Sequence, residues 1–248
     1  MTDSHSEISF YQAFPNAVPP MRADASALGT MPAKAFQYCE SMRTASSFGW
    51  YVFPADTLEL KFDGTDTYIN WEGTWKKLTT EHLPGSDKWW NSYAPDELEY
   101  AAPPFVSSID VPGYVQIWSG MLVQTNKDWS VLVRPIANTE ISGQFALFEG
   151  MVETDRFCPA PLFINIRIKT TNDVVCIPFD KPLFQVQPIH RSCYSKLSMT
   201  SVSHSQISEE NVSIDWDGYK STVKIGADDA EEETGRYAST VRRRAKSV

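Results

Sequence analysis

The sequence predicts an all-β domain, a sandwich or a barrel, with one short N-terminal helix and extended polar arms. Three observations carry that expectation. Between Phe145 and Pro188 the chain alternates: Leu162, Ile164, Ile166 and Ile168 fall on one side of an extended strand, and Phe163, Asn165, Arg167 and Lys169 on the other. Short β-branched and aromatic runs recur between turn residues at Asp63-Gly64, Pro112-Gly113 and Asn126-Lys127-Asp128, a spacing that suits antiparallel architectures rather than a parallel α/β sheet. Finally, 42% hydrophobic residues in a chain of 248 can supply one large core.

Taken in order, residues 1–33 hold Pro15, Pro19, Pro20, Pro32 and Gly29 among small residues and read as an extended N-terminal arm. The β domain is expected over residues 34–194. Its helix spans Ala33 to Ser47, with Pro32 near the first turn, Ala35, Phe36, Cys39 and Met42 on one face, and Gly49 as the stop. Trp50 to Phe53 is a buried strand ended by Pro54, and Leu58–Phe62 and Thr67–Trp71 form a hairpin across Asp63-Gly64. From Leu78 to Pro104 the chain reads as irregular and rich in rings, so Trp89, Trp90 and Tyr93 are candidate ligand-binding residues; the competing role is cover for a sheet edge. Strands follow at Val115–Trp118, Leu122–Gln124 and Trp129–Arg134. Thr171-Asn172-Asp173 predicts a hairpin joining the Leu162–Lys169 strand to Val174–Ile177, and Leu183–Gln187 is a last strand closed by Pro188. Residues 195–248 are rich in Ser, Thr and charge and read as a polar tail with an acidic run at 228–233 and a basic one at 242–246.

The net charge of -9 sets up a field that repels polyanions, so neither nucleic acid nor an anionic membrane is expected as a partner. Cys39, Cys158, Cys176 and Cys193 are far apart and are expected as free thiols. The first residues show neither a basic nor an apolar leader region, so the protein is expected in the cytoplasm or a virion rather than on a secretory route. No dinucleotide, phosphate-loop or nucleophile-elbow motif is found, and no cofactor or metal is expected. The one metal set worth testing, assembled across the sheet, is His82, Glu153 and His190.

The most distinctive short string runs from Phe148 to Asp155. With Gly49-Trp50, Pro112-Gly113-Tyr114 and Phe184 to Pro188, Val152-Glu153-Thr154-Asp155 resembles a bacterial and phage domain family of unknown function over residues 35–192; that resemblance implies no activity. Residues 129–188 are also similar to the β-clip of dUTPases and dCTP deaminases. This implies a β-clip-like barrel in which Glu153 or Asp155 orients a water or reads a sugar hydroxyl and Arg134 meets phosphate. No Ser follows Arg134 and no Tyr-x-Gly follows Asp155, as that family's motifs have. The plainer role for Glu153 and Asp155 is to cap a strand end and pair with Arg156 or Arg167. The leading expectation is therefore a non-enzymatic assembly or binding protein, in its sharpest form a virion component that meets copies of itself or other subunits through its terminal arms. An enzyme acting on a small polar metabolite or nucleotide, a dUTPase-like hydrolase, is the rival class.

Overall fold

The computed structural model describes residues 8–99, 101–140, 142–202, 207, 214, 216–220 and 236–245. Its strands are β1 (Ile8–Gln12), β2 (Met21–Arg22), β3 (Trp50–Val52), β4 (Leu58–Phe62), β5 (Thr67–Trp71), β6 (Thr74–Lys77), β7 (Thr80–Glu81) and β8 (Val106–Ser108), followed by β9 (Tyr114–Thr125), β10 (Trp129–Arg134), β11 (Phe145–Phe148), β12 (Gly150–Val152), β13 (Ala160–Ile168), β14 (Val174–Ile177) and β15 (Phe184–His190). The helices are α1 (Ala33–Tyr38), α2 (Glu40–Ser47), α3 (Ser86–Tyr93), α4 (Lys196–Thr200), α5 (Trp216–Lys220) and α6 (Arg236–Ala245).

The strands form three antiparallel sheets. The first runs β11-β13-β9-β8-β7, with β1 also on β9; the second runs β12-β10-β15-β3-β2; the third runs β14-β4-β5-β6. None of them closes on itself, so the architecture is a sandwich-like all-β fold and not a closed barrel. One apolar core is shared by all three, from Val115, Ile117, Leu162, Ile164 and Ile166 to Val131, Val133, Phe184 and Val186 and on to Leu58, Leu60, Ile69 and Val175. The alternation read in β13 is observed: Leu162, Ile164, Ile166 and Ile168 are buried, and the residues between them are not.

The expected hairpin after β13 does not form. Both edges of β13 are already taken, by β11 on one side and β9 on the other, so β14 pairs with β4 instead. Asn172 directs the departure: its φ is 67° and its N–H donates to the Phe62 carbonyl at 2.7 Å. The three consecutive strands β13, β14 and β15 thus go one to each sheet. Pro188 does not close β15 either; it sits within the strand opposite Val131. The hairpin of β4 and β5 is formed as expected, with Leu60 opposite Ile69. The two strands expected around Gly120 are one long strand, β9, bent where Gly120 takes φ 76°; a Cβ there would lie 2.7 Å from that of Ala17.

The expected helix over residues 33–47 is broken at Cys39, whose φ of -106° and ψ of 87° lie outside the helical region. Its proposed apolar face stays largely open, with Phe36 exposed. The stretch from Leu78 to Pro104 is not all irregular, because Ser86–Tyr93 is helical behind the left-handed Gly85. Gln185, fully buried, ties α2 to the second sheet: its amide donates to the carbonyls of Ser46 at 3.0 Å and Phe48 at 2.7 Å and accepts from the Ala137 N–H at 2.9 Å. Within residues 1–33, β1 and β2 are paired into the chain's own sheets. In the tail, Arg242 of α6 reaches Glu40 at 2.7 Å and the Gln37 carbonyl at 2.8 Å. Among the described residues no helix is long and apolar enough to cross a membrane.

Candidate functional site

Strands β11 and β12 follow one another with only Glu149 between them, yet β11 is an edge of the first sheet and β12 an edge of the second. The chain therefore steps across the seam of the sandwich at this point, and the residues after β12 turn back toward β13. That turn is tight: the N–H groups of Arg156 and Phe157 both donate to the Glu153 carbonyl, at 3.0 and 2.9 Å. Thr154 is fully buried within it, its hydroxyl 2.7 Å from that of Thr125. Thr125 gives its own proton to the Trp129 carbonyl at 2.9 Å, so Thr154 is the donor of the pair.

Glu153 and Asp155 converge on Arg191, just past the end of β15. One carboxylate oxygen of Asp155 accepts from Arg191 Nη2, and the other accepts the Asp128 N–H at 2.9 Å. Glu153 meets Arg191 Nη1 at 2.6 Å and Arg156 Nη1 at 2.9 Å. Arg191 also donates its backbone N–H to the Asp128 carbonyl at 2.7 Å, so three loops are stapled together. The Asp155 side chain is only 6% exposed. The hydrogen bond from Arg191 holds both carboxyls below their ordinary range, and the two carboxylates in turn raise the guanidinium. A general base at neutral pH needs the opposite shift.

Arg134 is not part of this knot. It pairs with Glu149 at 3.4 Å, on an exposed rim, and Arg167 lies over the Tyr114 ring instead of either carboxylate. The three catalytic candidates are thus divided between two places. Trp89, Trp90 and Tyr93 all lie on α3, where Trp89 and Tyr93 pack at 4.6 Å and the Trp90 indole N–H is spent on the Leu98 carbonyl. Among the described residues no three His, Cys, Asp or Glu side chains converge to hold a metal ion, so His82, Glu153 and His190 do not meet. His190 packs edge-on against Trp129 and bonds Ser192.

Beside the knot lies a slot of about 230 Å³, bounded by β9 and β13 of the first sheet and β10 and β12 of the second. Its floor is apolar, formed by Val123, Val131, Val133, Leu162 and Ile164, with the Gln116 and Asn165 amides bonded to each other at 3.2 Å on one wall. Phe148 and Phe157 stand at its mouth, 39% and 61% exposed. Phe148 is held there by stacking on Tyr114, at 5.2 Å.

No family model and no curated protein matches this chain, and the resemblance of residues 35–192 to a domain family of unknown function finds no support. Among solved structures the chain is similar to phage dUTPases. The dUTPase of Staphylococcus bacteriophage 80alpha is 11% identical, with 83% of this chain and 98% of that one covered and a TM-score of 0.38. The dUTPase from phage phi11 of S. aureus is 10% identical, with 84% and 100% covered and a TM-score of 0.38. At such identities and TM-scores the likeness is a weak one, and neither the site nor the activity of those enzymes passes to this chain.

Sequence reasoning found the carboxylates but missed their partner. Nothing in the string around Arg191 marks it; only the register of β10 against β15, with Trp129 opposite His190, brings it to Asp155. Phe157 was missed too, although a large ring among Asp155, Arg156 and Cys158 has no strand or helix periodicity to explain it.

Proposed function

We propose that the protein is a non-enzymatic binding protein of the assembly class, and that the slot is where it grips an apolar side chain of a protein partner. One observation carries this reading: an apolar recess between the two sheets opens beneath a phenylalanine that is 61% exposed. A cavity of roughly 150 Å³ lined by aliphatic residues accepts a benzene ring, so one aromatic or leucine side chain fits here. Burial of such an anchor in a pocket is how protein interfaces concentrate their binding energy. A virion component, with residues 1–33 and 195–248 serving as arms between subunits, is the sharpest form of the reading. What supports that form is the chemistry those segments use on their own chain, strand addition by β1 and an Arg-carboxylate contact from α6.

The rival hydrolase would need Glu153, Asp155 and Arg134 around one substrate. Here the carboxylates are neutralised by Arg191 and Arg134 is paired with Glu149.

Titration of N-acetylphenylalanine amide into the isotopically labelled Phe157→Ser variant, whose slot no neighbouring ring can occupy, tests the proposal. Shifts are expected at Val131, Val152 and Leu162, and they should vanish in Val152→Phe, which fills the slot from its edge. Steady turnover of dUTP by the wild type, lost in a Glu153→Gln/Asp155→Asn variant, would overturn the proposal in favour of the hydrolase.

A further inference from the structure

We infer that the partner of the slot is a second copy of this chain, and that Phe157 of each copy enters the slot of the other. The inference rests on the slot being a protein-binding site and names its occupant. Three features of this face point to self-pairing. Phe157 and the slot lie side by side, so one patch carries both a knob and a hole. A two-fold contact requires that self-complementarity, because the same surface must serve on both subunits. The face is also balanced in charge: Arg134, Arg156 and Arg191 stand against Glu149, Glu153 and Asp155. On a chain of net charge -9, two copies repel over most orientations, and a locally neutral patch is where they can approach. Lastly, β12 is an edge strand of the second sheet, with β10 on one side only, so its outer backbone groups are available to the other copy. Its three residues supply few hydrogen bonds, which leaves the phenylalanine as the anchor.

Sedimentation of the full chain over a concentration series tests this, with Phe157→Ser removing the knob and Val152→Phe closing the hole. The wild type is expected to dimerise, and each variant to raise the dissociation constant about 1,000-fold, because a two-fold dimer loses two hot-spot contacts, one per copy. An equimolar mixture of the two variants should recover part of the dimer mass, since the intact Phe157 of one can enter the intact slot of the other. Phe157 is a surface residue, so its variant stays folded even if the filled slot perturbs packing. A dimer indifferent to Phe157→Ser overturns the inference. So does a wild type that is monomeric at about 100 µM, a concentration at which any interface tighter than millimolar is populated. If that monomer still binds N-acetylphenylalanine amide in the slot, the binding function stands and only the occupant is wrong; if it does not, both fall.

Discussion

The segment from Glu149 to Phe157 builds two neighbouring surfaces that differ in how finished they are. At the knot, Glu153 and Asp155 find Arg191, Arg156 and the Asp128 N–H, and the charged groups that approach one another are matched in sign. At the slot, a phenylalanine stands in solvent above an apolar recess it does not fill. Burying an apolar ring is favourable and leaving it exposed forgoes that gain, whereas the charges at the knot already face charges of opposite sign. The charged cluster therefore serves the fold, holding the β10 turn, the β12 exit and the β15 end in register. The apolar recess is the part that needs something from outside.

The largest effect separates the slot's floor from its rim. Leu162 is buried in the shared core, so Leu162→Ala should cost about 2–3 kcal/mol in a denaturant titration, at the lower end for a core leucine because the slot already leaves part of it uncovered. Phe157→Ser, at the rim, should change stability by no more than about 0.5 kcal/mol while abolishing association. Equal losses for the two would erase the distinction between core and rim. Next in size is Asp155→Asn, which keeps the Asp128 contact but removes the charge facing Arg191. A loss of about 2 kcal/mol is expected, between a surface pair and a buried one, because the Asp155 side chain is only 6% exposed and that of Arg191 17%.

How much of this was legible in the sequence follows from where each signal resides. Alternation in β13 reports a buried face directly, so the strand was readable; which strand it would pair with is decided by its neighbours, and with β11 and β9 on its two edges the local turn at Asn172 could not make a hairpin. α3 was hidden because Ser86–Tyr93 sits between Pro84 and Pro95 and buries only Ser86, leaving no helical period to see. The break at Cys39 is a single backbone conformation inside an otherwise helical pattern. At the site, the string Val152-Glu153-Thr154-Asp155 stood out, but its meaning depended on Arg191, 36 residues after Asp155. The slot has no string at all; it is a property of two sheets meeting.

Acid separates the knot from the slot by pH. In the folded chain Glu153 and Asp155 titrate below their unfolded values because Arg191 bonds their charged forms. Such groups add stability that is present above the unfolded carboxyl range, roughly pH 4, and is lost as pH falls through the lower folded values. The wild type should thus show a steep acid limb below about pH 4, and Arg191→Met should flatten it. Binding of N-acetylphenylalanine amide in the slot of the Phe157→Ser variant should not follow that limb as long as the chain stays folded. A slot affinity that tracked protonation of the knot would mean that the two surfaces are coupled rather than merely adjacent.

The smallest effect expected comes from the rim pair Arg134 and Glu149, which sets the charge balance of the open face without supporting the fold. At 3.4 Å and with both side chains substantially exposed, this pair should contribute under about 0.5 kcal/mol, so Arg134→Glu alone should barely move the denaturation midpoint. Its effect should appear in association instead. Reversing Arg134 makes the face net acidic on both copies, weakening the dimer most at low salt and less as screening increases. Adding Glu149→Arg restores neutrality and should restore the wild-type mass at low ionic strength. A double reversal that stays monomeric would show that the specific orientation of this pair matters, and not the balance of charge around the slot.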